Sequence, residues 1–251
     1  MLNNIRIGKK LTIAFALSII SLIIVIVISF IGTSKVSDDL DNISGDKFPK
    51  IVWAHKISDQ INVNARVLRN IIIASDQETF NKEMKRLNET AVTVARLIDS
   101  LKSAANSDEE HNVINELEKV RTQIYLPSKD KFIAEINAGN KNLASAMLFN
   151  EMRTSQQAYF NAVDALVQFE ENQMEIAGVN ADDTVSMQNL LMTFIGAISI
   201  ALVLFLSFLI TRNIVAPIVI LNDAALKVAS GDLNVSVEIN RKDEIGILSG
   251  S

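Results

Sequence analysis

Asn62, Arg66, Arg69 and Ile73 follow one another at 4,3,4 spacing, and two of the four are arginines. On a helix such a spacing puts them on one face, and two guanidinium groups one turn apart can clamp a carboxylate through forked hydrogen bonds. A second polar group, Arg153 and Thr154 just after Asn150, lies some 80 residues further on. The chemistry these types offer is recognition of a small anion, not bond-making. The chain has no Cys and only two His, His55 and His111, so it offers no thiolate and no His-only metal site. It contains no Gly-rich phosphate loop, no Gly-x-Ser-x-Gly and no His-Glu-x-x-His. No enzyme, cofactor or metal is therefore expected. The competing reading of Arg66, Arg69 and Arg153 is a solvated helix face, where surface charges contribute little.

The elements that would position these residues are legible as heptads. Phe80, Met84, Leu87, Ala91, Val94, Ile98, Leu101 and Ala105 form an unbroken 4,3 seam. Ile57, Ile61, Asn64, Leu68 and Ile71 make another. Val113, Leu117, Val120 and Ile124 begin a third before Pro127, and Ala158, Ala162, Ala165, Phe169, Asn172, Ile176 and Val179 make a fourth. Ser75 with Glu78 and Ser107 with Glu110 have capping-box spacing, and Gly139-Asn140 is a stop signal. Four helices follow, at about 33–74, 77–105, 108–138 and 141–189, with short turns that make neighbours antiparallel. Measured from the distal turns, Arg66 and Arg69 share a height with 147–154 on the fourth helix. Asn64 and Asn172 in the seams would fix register. Trp53 and Tyr159 would pack in the interior, and the two His would be ordinary polar positions. Below Pro49 the first and fourth helices would continue alone as a stalk of roughly 25 Å. A two-helix stalk buries little, which favours a homodimer.

Two apolar runs flank this segment. No charge occurs between Lys10 and Lys35 or between Asp183 and Arg212. Leu11 to Ile31 and Leu190 to Ile210 each reach the roughly 20 residues that cross a bilayer as a helix. The first is too long for a cleaved signal sequence and lacks an Ala-x-Ala site. Arg6, Lys9 and Lys10 place the amino terminus on the cytoplasmic side. The expected layout is a cytoplasmic start at 1–10, spans at 11–32 and 190–211, an extracytoplasmic bundle at 33–189 and a cytoplasmic segment at 212–251. That is a multi-pass protein of the inner, cytoplasmic membrane, in contact with lipid. A net charge of −5 gives no basic face for nucleic acid.

After the second span, Ile218, Leu221, Ala225 and Val228 step by 3,4,3 along a short amphipathic helix that Gly231 would end. Leu233, Val235, Val237 and Ile239 alternate as an extended link, and Asp243-Glu244-Ile245-Gly246 would open a second helix. Pro217, Gly231-Asp232-Leu233 and Asp243-Glu244-Ile245-Gly246 together resemble the HAMP signalling module. The resemblance implies a dimeric parallel four-helix coiled coil, with Pro217, Gly231, Asp232 and Glu244 as signalling positions. Glu244 would also suit the positive end of its helix. The sequence stops at Ser251, a few residues into the second helix, so the module is expected to be incomplete and any output domain to lie beyond.

With "NNIRIGKKLTIAFAL", "KFPKI" at Lys47 to Ile51 and a four-helix outer domain, the chain is similar to the sensory half of methyl-accepting chemotaxis receptors. That resemblance implies an all-α fold, with two transmembrane helices flanking an antiparallel four-helix bundle and a partial HAMP module. It implies a small-molecule ligand, a carboxylate or amino acid, held across a dimer interface, with Asn62, Arg66, Arg69, Arg153 and Thr154 as candidates. Ile73 stands where that family carries a further Arg, so the particular ligand does not carry over. Kinase or adaptor partners would act only through the absent carboxy-terminal region. A histidine kinase or cyclase with the same input half, or a structural or adaptor bundle without a ligand, remain open alternatives. A single rod of about 105 Å, Lys141 to Ile210, would carry the signal inward.

Overall fold

The computed structural model describes residues 5–231, 235–237, 239 and 241–249. Asp232 and Leu233, named above, lie outside the described residues. The described chain is all-α: α1 (Ile7–Asn42), α2 (Phe48–Ile73), α3 (Gln77–Ala104), α4 (Asp108–Val120), α5 (Leu126–Asn137), α6 (Lys141–Phe149), α7 (Glu151–Ile210), α8 (Ala216–Ala229) and α9 (Glu244–Ser249). It divides into two compact units, one spanning Ser37–Ala181 and one built from the segments on either side of it.

Each of the three prolines follows a π-helical turn. Ile43–Lys47 precedes Pro49, Arg121–Tyr125 precedes Pro127, and Thr211–Val215 precedes Pro217. A proline ring removes one amide donor and clashes with the carbonyl four residues back. Widening the preceding turn by one residue moves that carbonyl aside. The backbone N–H just before each proline then reaches five residues back: Phe48 donates to Ile43, Leu126 to Arg121 and Ala216 to Thr211.

In the Ser37–Ala181 unit, two of the expected seams face the core. Ile57, Ile61, Asn64, Leu68 and Ile71 are all buried, as are Leu87, Val94, Ile98 and Leu101, with Phe80, Met84 and Ala105 packed against them. The other two depart from expectation. On α7 the core takes Met152, Ser155, Tyr159, Val163, Leu166 and Glu170, one position round from the expected stripe. Ala165 and Asn172 of that stripe are exposed, and Ile176 and Val179 are about half exposed. Both stripes have helical spacing, and the polar Ser155 and Glu170 conceal the one that is buried. On the third helix, Ile114, Leu117 and Val120 are buried. The π turn then passes the inward position to Tyr125, leaving Ile124 exposed.

Helix ends also show one difference. α3 is capped by Asp76, not Ser75: Thr79 N–H donates to Asp76 Oδ1 at 2.7 Å and Thr79 Oγ1 to Oδ2 at 2.9 Å. A carboxylate at this position also meets the positive end of the helix. Ser107 caps α4 as expected, accepting from Glu110 N–H at 3.1 Å. Glu110 reaches back to Asn106 N–H at 3.0 Å. Gly139, at φ +81°, ends α5, with Asn140 N–H returning to the Glu135 carbonyl. The fourth bundle helix is not continuous from Lys141. Asn150 (φ −118°, ψ −90°) separates α6 from α7, so the long helix starts at Glu151 and runs for 60 residues.

In the other unit, the amino-terminal part of α1 and the carboxy-terminal part of α7 are each long and apolar enough to cross a membrane. Almost none of their side chains is buried, and many are exposed, among them Phe15, Leu22, Phe30, Phe194, Ile198 and Leu204. Polar contacts between the two segments are few and small: the hydroxyls of Ser21 and Ser199 pair, and Gln188 Nε2 donates to the Ser29 carbonyl at 3.2 Å.

Candidate functional site

Asn62, Arg66 and Arg69 lie on one exposed face of α2, and Arg153 and Thr154 are exposed in the first turn of α7. Their contacts are local. Arg69 Nε donates to the Ala65 carbonyl at 3.2 Å, and Thr154 Oγ1 to the Asn150 carbonyl at 3.0 Å. The helices therefore present the guanidinium groups of Arg66, Arg69 and Arg153 to solvent, and among the described residues no carboxylate pairs with them.

Two spaces lie near this height in the bundle. The inner one is lined by Asn64, Arg121, Tyr125, Lys129 and Tyr159 among others, and its volume of about 20 Å³ has room for roughly one water. Of its walls, Asn64 Oδ1 accepts from Thr90 Oγ1, the Tyr125 and Tyr159 rings pack with centroids 5.2 Å apart, and the buried Tyr159 hydroxyl has no hydrogen-bond partner among the described residues. Burial pushes the Tyr125 phenol up to about 12, with the hydrogen bond to Asn64 pulling the other way. Asn64 is thus a core residue, and Tyr159 packs as expected. The distal groove is larger, about 350 Å³, and polar. Ile71, Ala74, Asp76, Phe80, Asn137 and Lys141 are among its walls, and Lys141 Nζ donates to the Ala74 carbonyl at 3.1 Å.

Sequence reasoning missed a group of ionised residues. Lys50 is fully buried, with Nζ 2.7 Å from Asp46 Oδ1 and 2.5 Å from Glu110 Oε1. Lys47 Nζ lies 2.9 Å from Asp46 Oδ2. Burial alone would lower the Lys50 ammonium, but Asp46 and Glu110 outweigh it and hold it above the usual lysine range. Burial works equally against the Glu110 carboxylate, and Lys50 holds it below the usual range. The "KFPKI" segment supplied the signal: two Lys at i and i+3 beside an apolar seam.

At the other functional end, Asp243 is buried and Glu244 exposed. Asp243 Oδ2 pairs with Lys10 at 2.7 Å and Arg241 at 2.8 Å, and Oδ1 accepts from Gly246 N–H at 3.3 Å. These cations hold the Asp243 carboxyl low against the effect of burial. Glu244 Oε2 accepts from Ile7 N–H at 2.9 Å. Glu244 was singled out on the sequence; its neighbour Asp243 makes more of the contacts. Gly231 sits at φ +96°, a conformation that glycine tolerates, and Pro217 opens α8 after its π turn. A Cβ at Gly246 would stand 2.0 Å from the Arg241 carbonyl oxygen, so only glycine fits.

Residues 4–185 match the model of the four helix bundle sensory module for signal transduction. The chain belongs to this family. Residues 209–251 match the HAMP domain. A putative sensory transducer protein, YvaQ, of Bacillus subtilis (strain 168) is 25% identical over 184 residues, covering 72% of this chain and 32% of that protein. The chain thus spans about a third of the relative's length. In the sensory module, the five ligand candidates share an exposed setting but are not gathered into one pocket. The HAMP positions Glu244 and Gly246 are gathered around Asp243. Among the described residues, no cluster of His, Asp or Glu is placed to hold a metal ion.

Proposed function

We propose that the chain is the input half of a transmembrane chemoreceptor. A small extracytoplasmic solute binds the 33–189 region, and the second span (190–211) passes the change to the HAMP segment (212–251) in the cytoplasm. One observation carries this reading: a sensory module at 4–185 and a HAMP domain at 209–251 share one chain with two exposed apolar helices. Arg6, Lys9, Lys10 and Arg212 favour a cytoplasmic position for both ends of that membrane pair, in the inner membrane. Span 11–32 then anchors the bundle, whose short turns at 74–76, 105–107 and 138–140 favour antiparallel neighbours.

The ligand reading rests on the stripe Asn62, Arg66 and Arg69, with Arg153 and Thr154. Guanidinium groups that face solvent, with no carboxylate partner among the described residues, suit a carboxylate sandwiched between two copies of the chain. The distal groove is the other space of suitable size. A homodimer is also favoured by α8, which has no buried residue. Ile218, Val228, Val237 and Leu248 line a space of about 580 Å³ that a second copy's helices would fill. Pro217, Gly231, Asp232 and Glu244 would set the HAMP geometry.

The test is a thermal-shift screen of the whole chain in detergent against small carboxylates and amino acids. A hit should raise Tm in the wild type and fail to do so in Arg66→Ala or Arg69→Ala. Shifts that survive both substitutions would move the site to the distal groove. The absence of any hit would favour a bundle that reads a protein partner.

A further inference from the structure

One buried carboxyl in the sensory module has no counter-charge of its own, only a distant share of one. At the end of the bundle that holds the Ala105–Ser107 turn, five charged side chains converge from four segments. Asp46 and Lys47 come from the first π turn, Lys50 from α2, Glu110 from α4 and Glu170 from α7. Lys50 is shared between Asp46 and Glu110, at 2.7 and 2.5 Å. Lys47 is committed to Asp46 at 2.9 Å and stands 3.8 Å from Glu170 Oε2. Asn106 adds two donors, Nδ2 to Asp46 at 3.1 Å and its N–H to Glu110 at 3.0 Å. Two ammonium groups are therefore balanced by two carboxylates before Glu170 is counted. Glu170 is fully buried, and neither of its oxygens accepts a hydrogen bond.

We propose that Glu170 is a proton-binding site of the sensory module, neutral in the arrangement seen and ionised on alkalinisation, so that the proton is itself a stimulus the module reads. Three physical facts support this. A carboxylate buried without hydrogen bonds is strongly disfavoured, and a group so placed takes up a proton. A protonated Glu170 can donate to the Glu110 carboxylate facing it. Burial first, and the Glu110 charge second, push the Glu170 carboxyl up to about 7, while Lys47 and Lys50 pull it down.

Loss of the proton would leave the cluster with one net negative charge and, at Glu170 itself, no solvent to spread it. The relief available is for Lys47 to move from Asp46 toward Glu170, or for water to enter as α7 draws away from α4. Either change alters the packing of α7 on the π turn and α4. A ligand shifts an equilibrium only through different affinity for its two arrangements. Here the packed arrangement holds the proton more tightly than the opened one. This reading needs no solute and stands apart from the arginine stripe.

The experiment is pH-difference infrared spectroscopy on the whole chain in lipid nanodiscs, from two units below to two units above about 7. The wild type should lose the carbonyl band of a protonated buried carboxyl with a midpoint near 7, and Glu170→Gln should lack that band. Lys47→Met should move the midpoint upward, which a purely structural role for Lys47 would not do. A spin-label distance between exposed sites on α4 and α7 should follow the same midpoint in the wild type and be flat in Glu170→Gln. The proposal is overturned if no carbonyl band titrates in the wild type, if the band persists in Glu170→Gln, or if the distance is flat in the wild type. If Glu170→Gln does not fold, the wild-type band and its Lys47→Met shift decide the matter alone.

Discussion

Replacing Lys50 by Met keeps the length and apolar stem of the side chain and removes only the charge. What remains is informative. Glu110 is fully buried, and its Oε1 loses the ammonium at 2.5 Å, leaving the carboxylate with neutral donors alone, among them the Asn106 N–H on Oε2. Asp46 loses a partner at 2.7 Å but retains Lys47 and Asn106. Breaking a buried pair by removing one partner costs about 3–5 kcal/mol, because the other charge stays behind. A domain of this size has only about 5–15 kcal/mol in hand. Lys50→Met should therefore lower the unfolding midpoint of the detergent-solubilised chain steeply in urea, with m unchanged. Adding Glu110→Gln should recover most of the loss, since the orphaned charge is then gone. Lys85→Met, which removes an exposed partner 3.9 Å from Glu89, should have no measurable effect. A loss below about 1 kcal/mol for Lys50→Met, or a double variant as unstable as the single one, would refute the claim that these charges depend on one another.

Acidity should stabilise the sensory module over a defined window. A carboxyl whose folded-state value is raised, as for Glu170 from 4.5 to about 7, contributes stability that is complete below about 4.5 and lost as pH rises to about 7. Tm should thus climb as pH falls from 7 toward 5, by an amount equivalent to a few kcal/mol at most. It should turn over at lower pH as Asp46 and Glu110, both held low, begin to protonate. Thermal melts of the wild type and Glu170→Gln check this; parallel profiles would count against it. Gly246→Ala would place a methyl 2.0 Å from the Arg241 carbonyl. It should displace the start of α9, seen as faster hydrogen exchange at 245–249, while the sensory module melts unchanged. Asp243→Asn weakens the pairs with Lys10 and Arg241. Proteolysis near Lys10 should accelerate by several-fold, and Glu244→Gln should have a smaller effect because its backbone partner, Ile7 N–H, can still be met.

The sequence reading succeeded where one physical effect dominated. The seams of α2 and α3 carry their hydrophobic residues on a single stripe, so periodicity alone finds the buried face. α7 carries two apolar stripes, and the buried one contains Ser155 and Glu170. Pattern cannot rank them, because what decides is the partner helix. Ser75 and Asp76 are adjacent good caps, and spacing to Glu78 chose the wrong one; the observed cap is the residue whose oxygen reaches Thr79 N–H. Asn150 gave no warning of its break between α6 and α7. In the HAMP segment, Gly231 was legible because ending a helix makes a backbone demand, whereas the close approach of the Arg241 carbonyl to Gly246 leaves no mark in spacing. The buried charge cluster was not, since its members lie at 46, 47, 50, 110 and 170, and only the fold unites them. The ligand candidates were legible as chemistry, but the fold leaves them on exposed helix faces, where spacing alone cannot say whether they form one site.

The three widened turns ahead of Pro49, Pro127 and Pro217 act as an indexing device. Each adds one residue to its turn, so every position downstream points about 100° away from where an unbroken α-helical count would put it. The Tyr125 ring reaches the interior in place of Ile124 for this reason. The same arithmetic applies at Thr211–Val215, where five residues set the orientation of α8. Deleting one of them would turn the whole of α8 on its axis without altering any of its own residues.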